Sequence, residues 1–506
     1  MFARKVNIYI LRTLIVGIVN VVTLYFTGHY LGPRPMGLIG FATSFIQIFF
    51  MFSDLGLGQA HIKRISEGKN VSYCMGTYLI IKLTLILILL FALIGFLLFK
   101  KHYFQAEFDD PDQERIIYLL LIPVILVQLS NIPLHTFEAR TESVKASLPL
   151  VLSSLIKAPF IVSVALFGLG VYGLVFARYV SGLVIIVVAY RLLKDPIKFP
   201  PKGYFRSYFI FAYKVFFVTI LTQIALQIDK LLIGKFVSVE AVGVYVSALS
   251  IIAVLNVIPN SVGSLLFPTI SRADSAGNLD MIKDYTLLSE KYIGMTVIPV
   301  AIIIFFFSKS IIFLLVGPDF YDAQIPLSIL SFYFLINGLR KPYASLIAGT
   351  DKMSLLALMS TISVSVNIIL NLLLIPDCLF GIPLGGLGIK GASIATLTSG
   401  IVYSLLCRIV VFRTTGIKSN KSVLIQYFAA FIMVLSLYLL NRIFPVDNVK
   451  QFNMFFALCF NSAIGVLVFI SILIVFKEIS RTELELIKNS ISPAKMKDYF
   501  KKEIKE

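Results

Sequence analysis

Residues 168–184 read GLGVYGLVFARYVSGLV, and residues 386–402 read GLGIKGASIATLTSGIV. Eight of the seventeen positions coincide, among them the pairs Gly168/Gly386, Gly170/Gly388, Gly173/Gly391, Ala177/Ala395, Ser181/Ser399 and Gly182/Gly400. An offset of 206 gives a weaker echo that pairs Gly37 with Gly243, Ala42 with Ala248 and Ser44 with Ser250. Each copy sits at the turn leading into the last of six apolar runs, which makes the chain two homologous six-helix lobes. Six is even, so the second lobe enters the membrane in the same sense as the first. Such parallel repeats are related by an axis along the membrane normal, with the substrate expected between them. Both copies also match G-x-G-x-x-G. That fingerprint needs a preceding strand and an acidic residue about 20 positions on, and neither is present. The glycines read as tight turns and close helix contacts, and no cofactor is expected.

Composition agrees with a membrane protein. The 506 residues are 58% hydrophobic and 14% charged, with a mean hydropathy of +0.90. A soluble domain is about 45–50% apolar and about 25% charged. A spanning helix takes about 20 apolar residues, and fourteen runs of that kind lie near 8–31, 36–58, 76–99, 115–138, 145–168, 171–193, 207–234, 241–267, 286–308, 323–349, 353–375, 388–412, 422–444 and 453–476. The expected fold is all-α and integral to the membrane, with fourteen transmembrane helices. Its expected parts are an N-lobe at 1–193, a basic cytoplasmic linker at 194–206, a C-lobe at 207–412, two extra helices within 413–476 and a basic tail at 477–506. In that tail Thr482 and Glu485 have the spacing of a capping box. The first run follows Arg4 and Lys5 without a small-residue cleavage site and reads as an uncleaved span.

The net charge of +18 would suggest nucleic acid in a soluble chain, but topology accounts for most of it. With the N-terminus inside, twenty-eight Lys and Arg fall on inner segments and nine on outer loops. Positive charge stays on the cytoplasmic side, so both termini are placed there and the chain in the cell membrane. No nucleic acid is expected as a partner. Cys74, Cys378, Cys407 and Cys459 are far apart and the four histidines are scattered, which gives no disulfide framework and no metal site. No loop exceeds about twenty residues, so an enzyme is not expected, and without a Walker motif neither is direct ATP use.

Once the basic residues at the span ends are assigned to the inner segments and outer loops, eight remain within the expected spans: Arg12, Lys82, Lys157, Arg178, Lys214, Lys230, Arg340 and Lys341. Against them the reading sets two acids, Asp54 and Asp229. Each charge costs roughly 2.5–3.5 kcal/mol at mid-bilayer on the milder insertion scale. They must therefore snorkel or line a hydrated cavity. Snorkelling competes for Arg12, Lys82 and Lys214, which lie near cytoplasmic helix ends. Arg340 and Lys341 lie two turns from theirs. Lys157, at mid-span, and Arg178, two turns below the outer surface, read as cavity residues. A cationic cavity at that depth suits a phosphate or pyrophosphate. Arg12, Lys82, Lys157, Arg178, Lys214, Arg340 and Lys341 are thus the substrate-binding candidates, and no catalytic residue is expected. Asp54, Asp229 and Lys230 are candidates for ion coupling or pairing. Polar span residues such as Asn20, Gln47, Gln227, Asn256 and Asn337 either touch a sugar or bond between helices.

Four stretches carry a family resemblance: YLGPRPMGLIGFATSFIQIFFMFSDLGLGQAHIKRIS (30–66), QIDKLLIGKFVSVEAVGVYVSALSIIAVLNVIPNSVGSLLFPTISR (227–272), RKPYASLIAGTDKMSLLALMSTISVSVNIILNLLLIP (340–376) and GLGIKGASIATLTS (386–399). The chain resembles the polysaccharide-transporter (Wzx-type) oligosaccharide flippases of the multidrug/oligosaccharidyl-lipid/polysaccharide superfamily. The resemblance implies a V-shaped pair of lobes that flips a polyprenyl-(pyro)phosphate-linked oligosaccharide to the outer leaflet by alternating access. It also implies glycan-assembly enzymes as partners, and a monomer is expected. Two alternatives remain: a cation-coupled multidrug exporter of the same superfamily, which needs a carboxylate in the cavity, and a membrane-embedded polysaccharide polymerase or ligase.

Overall fold

The computed structural model describes residues 2–103, 108–446 and 451–478, the side chains of 2–10, 214–215, 217–218 and 451–452 excepted. The capping box expected at Thr482 and Glu485 lies outside these residues. The first half of the chain forms α1 (Phe2–Leu31), α2 (Pro33–Phe50), a short α3 (Leu57–Ser66), α4 (Val71–Tyr103), α5 (Pro111–Ala139), α6 (Ser143–Leu166) and α7 (Gly170–Leu192). The second half runs through α8 (Lys202–Phe236), α9 (Val239–Leu255), α10 (Val257–Ser275), α11 (Leu279–Phe306), a short α12 (Ser308–Leu315), α13 (Gln324–Gly349), α14 (Met353–Leu374) and α15 (Gly388–Thr415). Two further helices, α16 (Ser422–Ile443) and α17 (Gln451–Val475), follow. A two-residue β-ribbon joins α14 to α15.

Among the described residues eleven helices are long and apolar enough to cross a bilayer. The pair α9–α10, bent by 42°, makes a twelfth if it is one span. α8 and α13 occupy the positions of the expected spans 207–234 and 323–349 but are not among those twelve. The expected span at 36–58 also differs. α2 stops at Phe50, a 3-10 turn covers Met51–Ser53, and α3 restarts at Leu57 after left-handed backbone at Leu55 and Gly56. Asp54 fixes this break, since its Oδ1 accepts the Gly58 N–H at 2.9 Å.

Packing follows the internal repeat. α1 lies along α6 as α8 lies along α14, α6 packs on α7 as α14 on α15, and α5 on α7 as α13 on α15. The local details match as well. Gly168 and Gly170 have φ of +63° and +61°, and their counterparts Gly386 and Gly388 have +57° and +51°. Ser153 donates to the Ser181 carbonyl at 3.3 Å, and Ser363 donates to the Ser399 carbonyl at 2.8 Å. The repeat read from seventeen letters is therefore a repeat of backbone and hydrogen bonds.

The halves meet where α2 crosses α9. A methyl at Gly37 would fall 1.8 Å from the Val239 carbonyl oxygen, and one at Gly243 would fall 2.0 Å from that of Pro33. The repeat offset of 206 carries Gly37 to Gly243 and Pro33 to Val239 and so exchanges the two contacts, which places the pseudo-two-fold axis between the two glycines. In lipid, helix association relies on packing and not on hydrophobic transfer, and small residues let backbones approach. Around the crossing lie fully buried Leu38, Ala42, Ile46, Val242, Tyr245 and Ala248.

α16 packs against α11 and α17, and one buried carboxylate ties this region together. Glu290 on α11 has no exposed surface. It accepts from the Tyr343 hydroxyl, the Asn420 backbone N–H and the Arg408 guanidinium, each at 2.8 Å. Four elements converge on it: α11, α13, α15 and the loop before α16. Removing one partner of a buried pair costs about 3–5 kcal/mol because the other charge is stranded. Arg408 is 28% exposed and part-solvated when its partner is lost, so Glu290→Ala is expected to lose less than that, about 1–3 kcal/mol for the unmade hydrogen bonds, in denaturant titrations in mixed micelles, and Glu290→Gln less. An unchanged midpoint for Glu290→Ala would remove the cluster from the stability account.

The 194–201 linker lies against α4. A methyl at Gly76 would meet the Lys198 carbonyl at 1.9 Å. The linker is also held by the Arg140–Asp195 ion pair, at 2.8 Å. The Arg140 guanidinium keeps the Asp195 carboxyl below its usual range.

Candidate cationic cavity

Between α1, α6, α7 and the α2–α9 crossing lies a cavity of about 410 Å³. α1 contributes Thr13, Gly17, Asn20, Thr23 and Thr27, spaced three or four residues apart and so on one face of the helix. The Thr23 and Thr27 hydroxyls donate to carbonyls of their own helix, Asn20 and Thr23, at 3.0 and 2.8 Å. Their remaining lone pairs are acceptors for a ligand hydroxyl. α6 contributes Lys157 and Ile161, α7 Leu174 and Arg178. The opposite wall is Val246, Ser250, Ala253, Val254 and Val257. Charge is thus confined to one side: the two cations come from α6 and α7, packed against each other in the first half. None of the described residues lining this cavity is Asp or Glu.

A second hollow of about 340 Å³ shares Thr13, Val16 and Lys157 with the first and adds Arg12, Ser153, Ser154 and Ser181. Lys157 thus borders both hollows, with Arg178 in the first and Arg12 in the second.

The other candidates lie elsewhere. Arg340 stacks on the Tyr403 ring with its guanidinium carbon 4.1 Å from the centroid. It also donates to Asn337, which bonds Asn256 at 2.7 Å across the α9–α10 bend. Lys341 runs against Gly263 of α10. Lys82 neither snorkels nor borders the cavity. It has no exposed surface, its Nζ has no hydrogen-bond partner among the described residues, and Asp54 Oδ1 stands 3.9 Å away. The Lys214 side chain lies outside the described residues. Asp229 is buried and accepts the Lys230 backbone N–H at 2.8 Å. Lys230 Nζ donates to the Leu226 carbonyl. Gln227 bridges to Ser44 and Gln47 on α2, the interhelical reading of such residues.

Some relevant residues carry no signal in the sequence. Thr13, Thr23 and Thr27 are common helix residues whose role shows only once α6 and α7 are placed beside them. Glu290, four residues into the expected span at 286–308, adds a buried acid to the balance of Asp54 and Asp229. Its partner Arg408 lies 118 positions away.

At the end of the bundle that carries the Gly32 turn, the two halves are in close contact. Gly28 presses on Val316, where a methyl would fall 2.3 Å from the carbonyl oxygen, and Gly317 rests near His29. Arg34 pairs with Asp110 at 2.9 Å and Asp112 at 2.8 Å, and approaches Glu240 of the second half at 3.8 Å. Lys235 reaches Asp109 at 3.7 Å. Such exposed pairs contribute about 0–1 kcal/mol each. The backbone-to-backbone glycine crossing therefore dominates the closure.

A family described as polysaccharide biosynthesis protein matches residues 30–325. The probable low-salt glycan biosynthesis flippase Agl15 of Haloferax volcanii is 23% identical over 460 residues, 90% of this chain and 92% of that protein. Among solved structures, the lipid II flippase MurJ in an inward closed conformation superposes with a TM-score of 0.73 at 16% identity, over 93% of this chain and 99% of that one. An inward-facing multidrug resistance MATE transporter of the MOP superfamily superposes with a TM-score of 0.62 at 16% identity, over 79% and 95%. These relatives are named as flippases or transporters, none as a catalyst. The family match spans more than half of the chain, which therefore belongs to the polysaccharide biosynthesis protein family, and its fold is the all-α membrane fold of these solved transporters.

Proposed function

We propose that this protein is a flippase that carries a polyprenyl-(pyro)phosphate-linked oligosaccharide from the inner to the outer leaflet of the cell membrane. Its lobes, 1–193 and 207–412, alternate access to the cavity, with both termini cytoplasmic and the Gly32 end facing out. One observation carries the reading: a cavity lined by Lys157 and Arg178 and, among the described residues, by no carboxylate. A phosphate or pyrophosphate would bind there by charge-assisted hydrogen bonds. Asn20 and the threonine face of α1 offer acceptors and donors for sugar hydroxyls. The cationic exporter reading needs an acid in the cavity, whereas Asp54 is held by Gly58 and lies near Lys82 outside it.

The test is translocation of a fluorescent lipid-linked oligosaccharide in proteoliposomes, against a cationic dye as competitor cargo. Movement of the anionic lipid alone supports the reading. Expulsion of the dye without lipid movement would replace it with the exporter.

A further inference from the structure

Beneath α3, away from the cavity, two of the four histidines come together with Tyr78 between them. The His61 ring stacks on Tyr78 with centroids 4.8 Å apart, and Tyr78 stacks on His135 at 6.1 Å. His61 has no exposed surface. Its Nε2 lies 2.8 Å from the Thr136 hydroxyl, which itself donates to the Ile132 carbonyl at 2.8 Å. Nε2 therefore carries the proton and donates. Nδ1 lies 2.8 Å from the Tyr208 hydroxyl and accepts from it. Tyr208 belongs to α8, the helix that opens the second half. The same 35-residue helix reaches the α2–α9 crossing at Gly234, where a methyl would fall 2.3 Å from Phe41. A neutral imidazole thus ties the start of α8 to α3 and α5.

We propose that His61 is a proton-binding site whose occupancy unties α8 from α3 and α4. Its link to transport rests on the alternating-access reading, but the untying itself does not. Adding a proton at Nδ1 reverses the bond to Tyr208, whose hydroxyl still has the Cys74 carbonyl at 3.1 Å. Hydrogen bonding therefore does not separate the two forms; burial does. The charged and titratable groups around the ring are Cys74, Tyr78 and Lys82 from α4, Asp54 from the turn before α3, His135 and Glu138 from α5, and Tyr208 from α8. On α3 itself, Arg64 donates to the Ser207 carbonyl at 2.8 Å and pairs with Glu67. Among the described residues no carboxylate touches the imidazole. The nearby acid, Asp54, is engaged by the Gly58 N–H at 2.9 Å, the Tyr78 hydroxyl at 3.5 Å and Lys82 at 3.9 Å. An imidazolium here would be a buried charge without a paired carboxylate among the described residues.

Burial, reinforced by His135, pushes His61 down from 6.5 to about 3. The tied state binds fewer protons than a hydrated one. The tie is at full strength above about pH 6.5 and weakens as pH falls towards about 3, by about tenfold per unit.

The test measures distance, not transport. Spin labels at the exposed positions Gln59→Cys on α3 and Tyr213→Cys on α8 are placed in a Cys378→Ser, Cys459→Ser background in nanodiscs. The expected result is a second, longer distance whose ratio to the first rises about tenfold between pH 7.5 and 5.5. His61→Gln should show no such pH dependence, and Tyr208→Phe should show the longer distance at both values. An unchanged distribution in the parent protein would overturn the proposal. So would a His61→Gln variant with the parent's pH response, which would move the proton to His135 or Asp54. Failure of the flippase reading would appear separately, as absent lipid movement with these distances intact.

Discussion

Arg178→Ala is expected to lower the rate of lipid-linked oligosaccharide translocation by about 10–100-fold while leaving the protein as stable as the parent. A hydrogen bond to a charged group contributes about 1.5–3 kcal/mol, and every 1.4 kcal/mol is a factor of ten. The side chain lines the same cavity as Lys157, and two like charges on one cavity wall repel when no anion is bound. Removing either cation relieves that repulsion, so loss of function should come without loss of folding. Lys157→Ala should behave in the same way. The double variant should lose more than either single one, but less than the product, because the two cations share one anion. Arg178→Lys keeps the charge and forfeits the planar fork, so an intermediate rate is expected. Initial rates in proteoliposomes, with melting curves as control, measure all four. Full activity in the double variant would remove the cationic cavity from the mechanism.

Depth is why these two residues were legible. A lysine at mid-span and an arginine two turns below the surface are too deep to reach water along their own side chains, so hydropathy alone sends them to a cavity. The same argument fails for Arg340 and Lys82. Arg340 is captured by Tyr403, 63 positions away, through a ring contact that no local pattern announces. Lys82 lies near a helix end, where snorkelling is available, yet α3 folds back over it and leaves Asp54 as its nearest charge. That fold-back was itself hidden. From Met36 through Met51 no proline or charged residue interrupts the largely apolar run, and the break is made by left-handed backbone at Leu55 and Gly56. The α9–α10 bend at Asn256 was equally silent, since the asparagine's partner is Asn337 on another helix. Hydrophobic periodicity reports which residues leave water, not which distant side chains meet. His61 and His135 therefore looked scattered, although the fold stacks both on Tyr78.

The internal repeat was the opposite case, and it gives the second large effect. Gly37→Leu should abolish translocation and open the Gly32 end of the cavity. The obstacle is backbone: the first carbon added at Gly37 lies 1.8 Å from the Val239 carbonyl oxygen and 3.0 Å from the Gly243 nitrogen. No rotamer of the new side chain can avoid it. The helices must separate, and overpacking of this kind costs about 1–3 kcal/mol or more. The exposed ion pairs around Arg34, at about 0–1 kcal/mol each, cannot hold the end shut against that. A cysteine at Thr27, inside the cavity, reports the result when the exposed native cysteines Cys378 and Cys459 are replaced by serine. In the parent it should react slowly with an impermeant thiol reagent added from the Gly32 side, and in Gly37→Leu at least about tenfold faster, as expected for losing one closing contact of about 1.4 kcal/mol. Gly243→Leu should reproduce the effect, because the Pro33 carbonyl stands 2.0 Å from its added carbon. Gly95→Ala, with nothing within 4 Å, is the control and should change nothing. If Gly37→Leu keeps the parent's labelling rate, the α2–α9 crossing is not the closure, and the Gly28–Val316 contact must hold that end.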